Sequence, residues 1–98
     1  IGISVINTSD RYSLYMNNIS VNTSETGVVI AKVESGCSAE KAGLKKGDLI
    51  TKFDDNKITS ISTLRYYLYQ YKTGDIIKVT YIRDGKESTL DMKLIEKD

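Results

Sequence analysis

No stretch constrains this chain more than residues 38–50, Ser38-Ala39-Glu40-Lys41-Ala42-Gly43-Leu44-Lys45-Lys46-Gly47-Asp48-Leu49-Ile50. Its small, glycine and acidic residues recur at offsets that leave the backbone few choices. Ser38 offers an N-cap, whose side-chain oxygen takes up a free backbone N–H. One helical turn follows, and Ala39 and Ala42 let it pack closely. Gly43 suits the left-handed position that closes such a turn, and Gly47 permits angles that a β-carbon resists. Asp48 can accept backbone N–H bonds in the second turn. Leu44 and Ile50 are assigned to the core. The segment therefore predicts a short helix, a tight turn and then a strand, Leu49-Ile50-Thr51-Lys52-Phe53.

The flanking sequence supplies more strands than helices. Ile3-Ser4-Val5-Ile6 is short, apolar and β-branched, and reads as a strand. Ser9 or Asp10 can cap a short helix through about Met16, with Leu14 and Tyr15 as its buried contacts. Residues 17–26 are polar and read as a loop; Asn18-Ile19-Ser20 and Asn22-Thr23-Ser24 match a glycosylation pattern by chance. Residues 28–33, nearly all apolar, predict a strand covered on both faces. Residues 54–57 turn the chain. A helix is expected from Ser60 or Ser62 to Lys72, because Ile61, Leu64, Leu68 and Tyr71 share one face at spacings of three and four. Strands 76–82 and 88–94 flank Arg83-Asp84-Gly85-Lys86, a tight hairpin turn. About five strands and two helices, with the strands dispersed, give an α+β sandwich or partly open barrel.

Composition limits the chemistry. Ninety-eight residues make one domain, and 40% apolar with 28% charged residues is ordinary globular usage. The start at Ile1 rather than Met is read as that of an excised fragment. With 14 basic and 13 acidic residues the net charge is +1, which argues for neither nucleic acid nor an anionic membrane surface as partner. Histidine is absent, so a Ser-His-Asp or Cys-His device cannot be built and histidine metal ligands are excluded. The one cysteine, Cys37, can form neither an internal disulfide nor a cysteine zinc site. Asp54-Asp55-Asn56 lacks the glycine and distal glutamate of a calcium loop and is taken as a turn. No catalytic residue, metal or cofactor is expected.

The 38–50 segment resembles the signature of PDZ domains in bacterial proteases, S/P-A-x-x-A-G-L-x-x-G-D-x-I. The elements after it follow the same family order, through Asp55-Asn56-Lys57-Ile58, Gly74-Asp75 and Arg83-Asp84-Gly85-Lys86. The resemblance covers residues 27–94 and is strongest to the HtrA/DegP-type (trypsin-like) serine proteases. It implies the PDZ fold over residues 1–98 as a single domain: a partly open antiparallel sandwich or barrel of five to six strands with two helices, in the circularly permuted strand order of bacterial members.

The resemblance also implies a binding site. Ile1-Gly2-Ile3 is similar to the family's carboxylate-binding loop, in which successive backbone N–H groups converge on a peptide's C-terminus. The family commonly has a further residue before that loop. The ligand then adds as a strand beside Ile3, Ser4 and Val5, while Leu64 and Leu68 line a side-chain pocket with Tyr67 at its rim and Ile61 turned to the core. Expected partners are peptide C-termini or unfolded, hydrophobic segments, and a protease domain of the same chain, with no nucleic acid or metal. The expected location is extracytoplasmic. Carboxy-terminal processing proteases and intramembrane metalloproteases carry such domains too, and a PDZ domain can be purely structural. Tyr66 and Tyr69 are read as a contact face toward another domain.

Overall fold

The computed structural model describes residues 2–19 and 26–95. Six strands, β1 (Ile3–Asn7), β2 (Val28–Val33), β3 (Leu49–Phe53), β4 (Asn56–Lys57), β5 (Ile76–Arg83) and β6 (Lys86–Lys93), alternate with three helices, α1 (Arg11–Met16), α2 (Ser38–Ala42) and α3 (Ile61–Leu68). All strand pairs are antiparallel, in the order β1-β2-β3-β5-β6, with β4 paired only to β3. The expected open antiparallel architecture is therefore present. Both short helical segments read from the sequence form, so the described residues hold three helices, and the turn expected at 54–57 ends in the two-residue strand β4.

The core has two parts, one on each face of the sheet. The larger joins Val28, Ile30, Ile50, Phe53, Ile58, Ile77, Val79 and Met92 to Ala39 and Leu44 near α2 and to Leu64 and Leu68 of α3. Ile6, Val29 and Leu49 form the smaller one with Leu14 of α1. Strand side chains alternate between faces, which is why the nearly continuous apolar run of β2 sends Val28 and Ile30 into one cluster and Val29 into the other. Burying one such side chain contributes about 1.5–3 kcal/mol. On α1 the expected Leu14 is buried, but Tyr15 is exposed along with Tyr12 and Met16.

Local chemistry sets the helix ends. Asp10 caps α1, accepting from Ser13 N–H at 3.1 Å and Ser13 Oγ–H at 2.8 Å. The side-chain bond first, then the backbone bond, holds its carboxyl below the ordinary value. The N-cap of α2 is Cys37 rather than Ser38: its sulfur accepts from Glu40 N–H at 3.4 Å. Ser38 lies inside the helix, and its Oγ accepts from Ile95 N–H at 2.9 Å. Gly43 closes α2 at φ 103°, as the segment requires. Helix α3 stops at Leu68, short of Lys72, because Tyr71 N–H turns to Leu68 O at 3.1 Å and Lys72 N–H to Asp75 Oδ2 at 2.8 Å.

Two side-chain ties join distant segments. Asp48 is 2% exposed and accepts from Lys45 N–H at 2.9 Å, as expected. It also receives both Nε and NH2 of Arg83, at 2.8 and 2.6 Å, while the same NH2 donates to Gly43 O at 2.8 Å. This fork fixes the turn end of the β5–β6 hairpin to the α2–β3 connection and raises the Arg83 pKa. The Tyr71 hydroxyl donates to Asp54 Oδ2 at 2.6 Å, and Asp54 Oδ1 accepts from Lys78 N–H at 3.0 Å. Burial first, and then this bond, pushes the phenol up to about 12.

Candidate functional site

Strand β1 lies at one end of the sheet, so only β2 pairs with it among the described strands. In an antiparallel pair, opposed residues alternate between facing the partner and facing away. Gly2 O accepts from Glu34 N–H at 2.8 Å, and Thr8 N–H donates to Gly27 O at 3.2 Å, so Gly2 and Thr8 face β2. Alternation makes Ser4 and Ile6 face it as well. A shift of register lies between Ser4, opposite Lys32, and Val5, opposite Ile30. The Ile30 main chain is already engaged on its other side, with Asp48 O at 2.9 Å and Gly47 N–H at 2.7 Å. Hence the N–H and C=O of Ile3, Val5 and Asn7 point to the outer edge.

The side chains of the same residues face α3. Ile3 and Val5 are half-buried against the larger cluster, which contains Leu64 and Leu68, whereas Ile6 joins the cluster under α1. Asn7 Oδ1 accepts from the backbone N–H of Ile61 at 2.8 Å. That N–H is one of the unpaired donors of a helix start; Ser60, the N-cap, serves Thr63 N–H instead. An open strand edge thus runs alongside a helix, and the two are stitched together at the end where β1 finishes and α3 begins.

Gly2 heads this edge. It has φ +72°, a region other residues rarely adopt, and a β-carbon built there lies 2.4 Å from Cys37 Cβ and 2.9 Å from Cys37 Sγ. The loop therefore passes against the start of α2 with no space for a side chain. Cys37, read from sequence only as a small loop residue, is buried and forms the surface that Gly2 rests on.

Of the residues singled out in the sequence, Ile1 lies outside the described residues. Gly2, Ile3, Ser4 and Val5 form the head and edge just described, with Ser4 exposed on the face opposite Ile3 and Val5. Leu64 and Leu68 are 3% and 1% exposed and belong to the core, and Tyr67 is half-buried at its margin. Ile61 packs against the same cluster but is only half-buried. The Tyr66 ring meets Tyr67 edge-on, with centroids 5.1 Å apart, and Tyr66 and Tyr69 are exposed. Sequence reasoning missed Asn7, whose one signal was a polar residue ending an apolar strand.

A strand edge that no described strand covers, a glycine-headed loop and an adjacent helix thus lie together at one side of the sheet. The sequence profile of the PDZ domain matches residues 1–94, and the chain belongs to that family. Its relatives place it more narrowly. It is 42% identical over 95 residues to the serine protease Do-like HtrA of Lactococcus lactis subsp. lactis (strain IL1403), covering 96% of this chain and 23% of that protein. Against the protein of the same name from Bacillus subtilis (strain 168) it is 45% identical over 73 residues, 74% of this chain and 16% of that protein. The domain is thus homologous to those of HtrA/DegP-type serine proteases, and it spans less than a quarter of such relatives.

Solved structures agree on the fold. The HtrA-type protease AlgW with a decapeptide superposes with a TM-score of 0.77 at 20% identity, covering 94% of this chain and 27% of that one. The HtrA3 PDZ domain bound to the phage-derived ligand FGRWV gives 0.71 at 16% identity, over 95% of this chain and 82% of that one.

Proposed function

We propose that this PDZ domain binds peptide C-termini, or exposed hydrophobic segments of unfolded proteins, by strand addition along β1. The observation that carries the reading is the outward N–H and C=O of Ile3 and Val5 at an edge no described strand covers. The ligand's carboxylate sits at the loop of Ile1, Gly2 and Ile3, its main chain runs antiparallel to Ile3, Ser4 and Val5, and its terminal side chain packs toward Leu64, Leu68 and Tyr67. AlgW with its decapeptide and HtrA3 with FGRWV are the structural relatives that support a peptide as the ligand.

The parent polypeptide, on this reading, is an HtrA-like serine endopeptidase whose catalytic domain lies outside this chain. The module recruits substrate to that domain or regulates it, in an extracytoplasmic compartment. Support comes from the protease relatives, several of them named periplasmic. With no histidine, the domain itself has no Ser-His-Asp device.

Fluorescence anisotropy with labelled FGRWV, and with its C-terminally amidated form, tests the binding role. The free-carboxylate peptide should bind with Kd on the order of 10–100 μM, because a short ligand gains little area and loses conformational freedom. Amidation should weaken it at least tenfold. Equal binding of the two forms contradicts a carboxylate loop, and no saturation by either at millimolar protein contradicts the recruiting role for this ligand class.

A further inference from the structure

We infer that Asn7 is the stop of the peptide groove, limiting main-chain recognition to about the last five residues of a ligand; this rests on the strand-addition reading above. Two independent bonds point to it. The Asn7 side chain holds the N–H of Ile61 at 2.8 Å, so the start of α3 is drawn onto the end of β1. The Asn7 carbonyl, which alternation turns to the outer edge, is already occupied by Asp10 N–H at 2.9 Å in the turn leading to α1.

The consequence follows from counting polar groups. In an added antiparallel strand, every second residue turns both its N–H and C=O to the host edge. The C-terminal ligand residue pairs with Ile3, its carboxylate accepting from Ile3 N–H and its N–H donating to Ile3 C=O. The third residue from the C-terminus exchanges both bonds with Val5. The fifth can accept from Asn7 N–H, but its own N–H finds the Asn7 carbonyl bound, and the gap between strand and helix is closed by the Asn7–Ile61 bond. Nothing beyond about the fifth residue from the C-terminus adds a ladder hydrogen bond.

Asn7 therefore sets how many positions the domain reads. Residues of a substrate beyond that point leave the groove, and the terminal tetra- or pentapeptide carries selectivity. A Ser or Thr at this position has too short a side chain to span to α3 in the same way, whereas an Asp keeps the acceptor.

The test is a length series of Val-ended, free-carboxylate peptides, extended with alanine one residue at a time and measured by calorimetry against the wild-type domain. Affinity should rise up to about five residues and then stay within twofold. A continued rise with each further residue overturns the stop. Failure of every free-carboxylate peptide to bind instead removes the strand-addition reading itself, so the two failures are distinct. Asn7→Ala, shown to be folded by its amide spectrum, should lose the plateau as longer peptides pack into the released gap, gaining several-fold in affinity. Asn7→Asp should keep the plateau. A plateau unchanged in a folded Asn7→Ala protein refutes the role of the side chain, and the wild-type series stands as a test even if that variant does not fold.

Discussion

Replacing Gly2 by alanine probes fold and binding together. The new β-carbon would lie 2.4 Å from Cys37 Cβ, which the backbone of the α2 start holds in place, so no side-chain rotation relieves the clash. Holding alanine at φ +72° costs about 1–2 kcal/mol. Overpacking against Cys37 costs about 1–3 kcal/mol more. Restricting the unfolded chain returns about 0.4–1 kcal/mol. The net loss is therefore about 1–5 kcal/mol, and a domain of this size shifts Tm by about 4–8 °C per kcal/mol. Chemical and thermal denaturation read the stability, and anisotropy with FGRWV reads the site, where Kd should rise at least tenfold. In the Cys37→Gly background the steric share disappears and the backbone share stays, so a double-mutant cycle should give a coupling of about 1–3 kcal/mol. If Gly2→Ala leaves Tm within about 2 °C and Kd within twofold, the close packing of this loop is refuted.

Other substitutions test the supports of the site. Arg83→Met leaves the Asp48 carboxylate buried without its cation; because Arg83 is 34% exposed, the loss should be about 2–3 kcal/mol, between surface-pair and buried-pair values, and urea denaturation measures it. Phe53→Ala empties the centre of the larger cluster, where Phe53 is 0% exposed, and should cost about 3–5 kcal/mol by the same assay. Tyr71 carries an alkaline signature. Its folded pKa of about 12 exceeds the unfolded 10.0, so its contribution is complete below pH 10 and declines as pH rises through 12. Tyr71→Phe should lower stability by about 1 kcal/mol near neutral pH and flatten the profile above pH 10.

What the residues revealed in advance was local. The 38–50 segment announced its helix, left-handed Gly43 and following strand because each depends on neighbours only a few positions away. The hairpin at Asp84-Gly85 was legible for the same reason: both residues have positive φ, 53° and 79°. Spacing gave the buried face of α3 but overran its end, since Tyr71 lies on the apolar stripe while its own bond to Asp54 needs a turned chain. The choice of Cys37 over Ser38 as N-cap was hidden because Ser38 Oγ has a partner in Ile95, far along the sequence. Asn7 was invisible for a related reason. Its worth lies in Ile61, 54 residues away, and no periodicity encodes a single polar side chain reaching another element. The strand edge could be named from the family resemblance, but which of its residues face outward depends on the register and its shift beside Ser4.

Strand addition to β1 makes one demand no other mode of binding makes, and residue-resolved amide hydrogen exchange reads it directly. In the free domain the N–H groups of Ser4 and Ile6, facing β2, should exchange slowly, and those of Ile3 and Val5, facing outward, quickly. Saturation with FGRWV should slow Ile3 and Val5 at least tenfold and leave Ser4 and Ile6 nearly unchanged. Protection that instead spreads evenly along β1, or that appears on another element while Ile3 and Val5 keep exchanging at their free rates, contradicts binding at this edge.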